Sequence, residues 1–124
     1  MELNDVMRTT FAAHEFTDDD LPNAVLYDIL DNARFAPSGG GASIYPFCHN
    51  ILLGARNAGY GGALTTMLSS AEPEVQQFLR LESHEAVCAM LTLGKPPKQL
   101  TKLSRKPVED FAFNERADGS PLTA

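Results

Sequence analysis

The stretch from Ile44 to Ala55 constrains this chain most. Ile44, Cys48, Ile51, Leu52 and Ala55 fall on one helical face, and Tyr45, Phe47 and Leu53 widen it. A lone surface helix carries a narrower apolar stripe, so a helix over 44–57 must be buried or must pack on a partner. The chain has 124 residues, enough for one small domain. A domain of that size buries a modest share of its surface and often leans on a second subunit.

The rest of the pattern sets this helix in context. Residues 2–10 read as a short helix. Leu21, Val25, Leu26, Ile29, Leu30 and Ala33 repeat at helical spacing and predict a helix over 22–35. Asp18, Asp19 and Asp20 precede Pro22, which suits the exposed amides and dipole of a helix start. Ala36-Pro37-Ser38-Gly39-Gly40-Gly41 breaks that helix, and Gly59-Tyr60-Gly61-Gly62 ends the next. Ala63 to Leu68, with two threonines, reads as a strand. Ser70 and Pro73 open a further helix, with Val75, Phe78 and Leu79 expected to face inward. Ala86 to Leu93 is nearly all apolar and predicts a buried central strand.

From residue 95 the composition turns to Pro, Lys and polar residues, and 95–124 reads as an extended arm. This order implies an α+β class. We expect a single domain over 1–124, made of an N-terminal segment over 1–40, a helix and strands in 41–94, and the arm. Two strands make a poor sheet alone, so either the arm or another subunit must add to them. A homodimer through helix 44–57 and the arm is therefore expected.

Charge and composition exclude several classes. A net charge of -6 and a sequence pI near 4.9 argue against general nucleic-acid binding. No apolar run is long enough to span a bilayer and no signal segment opens the chain, so a cytoplasmic protein with no membrane partner is expected. Cys48 and Cys88 sit within apolar segments without ligand spacing and read as reduced core residues. His14 reads as a surface residue, while His49 and His84 lack partners at metal spacing, so no metal is expected. No nucleophile-and-base arrangement is evident.

Several segments, in order, resemble the nitroreductase family. They are Arg8-Thr9-Thr10, His14-Glu15-Phe16, Ala36-Pro37-Ser38, the helix Gly41-Ala42-Ser43-Ile44-Tyr45-Pro46-Phe47 running on through Asn50-Ile51-Leu52-Leu53, and Gly59-Tyr60-Gly61-Gly62-Ala63-Leu64-Thr65-Thr66. Pro73-Glu74-Val75, Leu91-Thr92-Leu93-Gly94-Lys95-Pro96 and Arg105-Lys106-Pro107-Val108-Glu109-Asp110-Phe111 match the closing segments. The chain departs from the family in three places. His14 stands where Arg-x-Phe has arginine. Gly41 and Ser43 stand where Asn and Gln follow Pro-Ser-Gly-Gly. The strands and helices that come next in the family have no counterpart, so the resemblance is to a shortened, truncated member.

The resemblance implies a truncated nitroreductase-like fold and an FMN-dependent oxidoreductase. NAD(P)H would reduce the flavin, which would reduce a small nitro or quinone-like acceptor. Arg8 is the first phosphate-binding arginine by position, and a guanidinium grips phosphate in a two-pronged geometry. Thr9 and Thr10 would add hydroxyls, and Arg105 and Lys106 would add arm cations. Read alone, Arg105 and Lys106 are equally ordinary surface charges beside Lys95, Lys98 and Lys102. Pro37, Ser38 and Gly39 would approach the flavin ring, or else form a flexible linker. Leu64, Thr65 and Thr66 would lie at the reactive edge, or else form an ordinary strand. The flavin carries the hydride chemistry, so no catalytic side chain is assigned. The alternatives are a catalytically weak flavin-binding or interaction protein, and a degenerate remnant.

Overall fold

The computed structural model describes residues 1–37, 39 and 41–123. Among these residues four α-helices and two strands follow one another: α1 (Leu3–Thr9), α2 (Asn23–Ala33), α3 (Ile44–Asn57), β1 (Gly61–Thr65), α4 (Glu72–Leu79) and β2 (Met90–Gly94). Among the described residues no helix is long and apolar enough to cross a membrane.

The periodic segments form the core. Ile29 and Ala33 of α2 bury against Ile51 and Ala55 of α3, with Val25, Phe47, Tyr60, Leu91 and Leu93 packed around them. The two helices approach closely at Gly54, where a β-carbon would lie 3.2 Å from Ile29 Cγ2. Pro46 sits in the first turn of α3, where its missing N–H costs nothing. The core is thin: of the eight buried apolar residues among those described, four are alanines, namely Ala13, Ala33, Ala55 and Ala63.

β1 and β2 pair antiparallel from Gly61↔Gly94 to Thr65↔Met90. Ala12 bridges Gly62 in parallel, and the Ala13 N–H donates to the Gly62 carbonyl at 3.0 Å. The segment after α1 thus flanks the start of β1. It then crosses the end of β2, where the Thr17 N–H donates to the Lys95 carbonyl at 2.7 Å.

Several expectations are corrected here. Pro22 caps α2 and no acid lies in its first turn, so Asp18–Asp20 do not serve the helix dipole. Asp19 instead accepts from Thr17 Oγ1 at 2.9 Å and pairs with Lys95 at 3.0 Å. Hydrogen bonding from Lys95, and then from Thr17, holds the Asp19 carboxyl below the usual carboxylate range.

The first strand runs over Gly61–Thr65 and not on to Leu68. Thr65 Oγ1 accepts the Met67 N–H at 3.2 Å and starts a 3-10 turn over Met67–Ala71. Residues 86–89 are not strand either, because β1 has already turned away and offers them no partner. The Val87 N–H goes to the Glu72 carboxylate at 3.1 Å. β2 is half-exposed rather than central, and Cys88 is exposed while Cys48 is buried. Phe78 and Leu79 point outward, 84% and 54% exposed, because none of the described residues covers α4 on that side.

The arm carries one 3-10 turn (Val108–Asp110) and a bridge between Phe113 and Pro121. Among the described residues it adds no strand to the sheet, which stays two-stranded.

Candidate functional site

Arg8 lies exposed in the last turn of α1. Its neighbours are engaged locally. Thr9 Oγ1 donates to the Asp5 carbonyl at 2.6 Å, and Thr10 Oγ1 donates to the Val6 carbonyl at 2.7 Å. A hydroxyl has one proton, so neither threonine has a free donor for an anion. Of the three, Arg8 makes no ion pair among the described residues.

Thr9 also accepts from Arg56 Nε at 2.9 Å, in a buried contact that ties α1 to α3. Arg56 is only 8% exposed and pairs with no carboxylate among the described residues. With its amide turned so that the carbonyl faces the guanidinium, Gln99 accepts from Arg56 Nη1 at 2.7 Å and Nε at 3.1 Å. Arg56 therefore links α1, α3 and the start of the arm. Sequence reasoning does not find it, since an arginine near a helix C-terminus reads as a solvated charge facing the dipole.

Pro37 and Gly39 are exposed, and Ser38 lies outside the described residues. The Gly39 N–H donates to Ser43 Oγ at 2.5 Å, so the Ser43 hydroxyl folds back on its own loop. A β-carbon on Gly39 would meet nothing within 4 Å. Leu64 and Thr65 are half-buried at the end of β1, and Thr66 is exposed. Arg105 and Lys106 are exposed, and Arg105 Nη1 donates to the Ser104 carbonyl at 2.8 Å. Arg8, Arg105 and Lys106 make no ion pair among the described residues.

The Ala12 bridge sets Arg8–Thr10 toward the start of β1, while Leu64–Thr66 stand at its far end. At a rise of about 3.3 Å per residue those two ends are roughly 13 Å apart. None of these residues lines any of five well-formed hollows among the described residues.

One hollow of about 660 Å³ does border the Thr65 end. Leu68, Val75, Phe78, Leu79, Val87 and Met90 line it together with Glu74, and Met90 is the strand partner of Thr65. That size and apolar lining suit a planar organic ligand. The only sequence signal for it is the apolar face of α4, which periodicity alone assigns to a core. No group of three or more His, Cys, Asp or Glu gathers among the described residues.

No family model and no curated protein matches this sequence. Solved structures do match the fold. A BluB-like flavoprotein from Clostridium difficile 630 superposes with a TM-score of 0.81, at 16% identity, over 94% of this chain and 100% of that one. NADPH:FMN oxidoreductase from Vibrio harveyi, complexed with NAD+, gives 0.76 at 14% identity over 92% and 77%. A nitroreductase-like protein from Streptococcus mutans gives 0.75 at 14% identity over 90% and 97%. The α+β architecture of this chain is a nitroreductase-like fold.

Proposed function

We propose that the chain is an FMN-binding oxidoreductase of nitroreductase type that works as a homodimer. It would take reducing equivalents from NADH or NADPH and pass them to a nitro or quinone-like acceptor. The observation that carries this reading is the superposition on flavoproteins over more than nine-tenths of the chain.

The residues fit the cofactor at its two ends. Arg8, Arg105 and Lys106, without ion pairs among the described residues, are donors suited to a phosphate. Thr65 pairs with Met90, which lines an apolar hollow suited to a flat ring. When bound, FMN supplies the hydride chemistry, and the protein's role is to hold it and keep water out.

Surface area supports the dimer. The chain exposes 9406 Å². A compact monomer of 13.5 kDa exposes about 6,500 Å². The excess, roughly 2,900 Å² per chain, is ample for an obligate interface. Tyr45 on α3 and Val108, Phe111 and Phe113 on the arm are among the exposed apolar residues available for it. Closing the site then falls to the second copy.

A second reading, a weakly catalytic flavin binder, is favoured by the engaged hydroxyls of Thr9 and Thr10 and by the inward turn of Ser43. The two readings part in anaerobic stopped flow. Protein reduced with NADH or NADPH is mixed with a nitroaromatic or with oxygen. The enzyme reading expects fast reoxidation by the nitroaromatic. Fast reaction with oxygen and slow transfer to the acceptor would establish the binder, because an exposed reduced flavin loses its electrons to oxygen. Protein that takes up no flavin would exclude both.

A further inference from the structure

The two cysteines of the chain are far apart in sequence, yet they face one hollow. Cys48 on α3 and Cys88 on the segment before β2 both line a cavity of about 340 Å³, together with Phe47, Ala86 and Leu91. Cys48 is buried and Cys88 is exposed. We infer that Cys48 and Cys88 form a redox-active dithiol, which closes to an intramolecular disulfide under peroxide and is reopened by a dithiol reductant.

Cys88 lies outside regular structure, in residues 85–89, so its backbone is not held by a strand ladder and can shift to meet disulfide geometry. Its Sγ makes only a long contact, 3.9 Å, to the Ala86 carbonyl. Cys48 is fixed on the core helix, next to Ile51 and Ala55 on the same face. Burial, and then the neighbouring Cys88, push the Cys48 thiol above its ordinary pKa. The order of events follows from exposure and from that shift.

The Cys88 thiolate attacks a peroxide oxygen. The S–O bond forms, the O–O bond breaks and one water leaves after protonation, giving a sulfenic acid. The Cys48 thiolate then attacks the Cys88 sulfur. The S–S bond forms, the S–O bond breaks and a second water leaves. Two thiols lose two electrons in all, and the peroxide gains them. The closed form ties α3 to the chain entering β2, across the loop that contains β1 and α4. This inference does not rest on the flavin reading, since the thiols and the peroxide suffice.

The test treats the full chain with hydrogen peroxide, quenches free thiols with an alkylating agent, and maps peptides without reduction. The expected result is loss of both free thiols, a linked Cys48–Cys88 peptide from a polypeptide that runs as a single chain on a denaturing, non-reducing gel, and recovery of both thiols with dithiothreitol. Cys88→Ser should leave Cys48 a free thiol under the same treatment. Cys48→Ala should leave Cys88 as a sulfenic acid trapped by dimedone. Should Cys48→Ala fail to fold by circular dichroism, the wild-type map and Cys88→Ser still decide. Wild-type protein with Cys88 oxidised alone and Cys48 free, with Cys88 linked only between chains, or with both thiols intact would overturn the inference.

Discussion

Removing the Thr9 hydroxyl should cost more stability than removing the arginine that bonds to it. Arg56 is 8% exposed and has no carboxylate partner among the described residues. Its Nε–H to Thr9 Oγ1, at 2.9 Å, is one of the bonds that satisfy a buried charge. Thr9→Val keeps the shape but removes one of the two acceptors on that Nε–H and leaves the Gln99 carbonyl, at 3.1 Å, to hold it alone. A hydrogen bond to a charged group is worth about 1.5–3 kcal/mol, and this loss should fall in that range. Arg56→Met keeps a long apolar stem and removes the charge that was costly to bury, so it should cost under about 1 kcal/mol. The double variant should then cost less than the sum, with a coupling of about 1–2 kcal/mol. At roughly 4 °C per kcal/mol for a domain of this size, Thr9→Val lowers Tm by roughly 6–12 °C. Urea titration followed by circular dichroism measures all three variants. A coupling near zero, or Arg56→Met costing as much as Thr9→Val, refutes the reasoning.

Gly62→Ala should cost about 3 kcal/mol in the same titration, because its β-carbon would lie 2.5 Å from the Thr92 carbonyl oxygen, which the ladder holds in place. Gly94→Ala should cost less, since the obstacle is the Phe16 ring at 2.7 Å, and a side chain can turn aside. The Asp19–Lys95 pair makes stability depend on pH at both extremes. Asp19 is depressed in the fold, so its contribution is present above the unfolded carboxylate pKa and is lost as pH falls through the folded one. Lys95 is raised in the fold, chiefly by its hydrogen bond to Asp19, so its contribution is lost as pH rises through the folded lysine value. Asp19→Asn should flatten the acid limb of a Tm-against-pH curve, and an unchanged limb would show that the pair does nothing. Phe111→Asp, at a residue 64% exposed, should leave the fold intact and shift light scattering toward monomer; an unchanged dimer would remove the arm from the interface.

The α2–α3 core was legible because a 3.6-residue repeat of Ile, Leu and Ala has few other uses, and Ile29, Ala33, Ile51 and Ala55 are buried as that repeat requires. Periodicity marks an apolar face without saying what covers it, so Phe78 and Leu79 read as core and stand exposed. The apolar run 86–93 failed at its first half for a related reason: a strand needs a neighbour, and β1 leaves after Thr65. Cys88 went with it. Arg8, Arg105 and Lys106 stand as candidates through a family resemblance alone, and they make no ion pair among the described residues. The engagement of the Thr9 and Thr10 hydroxyls follows from helix geometry at Asp5 and Val6, which residue identity does not reveal. Arg56 was invisible because burial, which sets its role, is a tertiary property.

The proposal that this chain holds FMN by its phosphate is tested most directly by calorimetry. FMN and riboflavin are titrated into wild-type protein and into Arg8→Ala. FMN should bind the wild type more tightly than riboflavin. Arg8→Ala should weaken FMN by about 1.5–3 kcal/mol, roughly tenfold to a hundredfold, and leave riboflavin unchanged. Riboflavin binding as tightly as FMN, or FMN binding unaffected by Arg8→Ala, would contradict it.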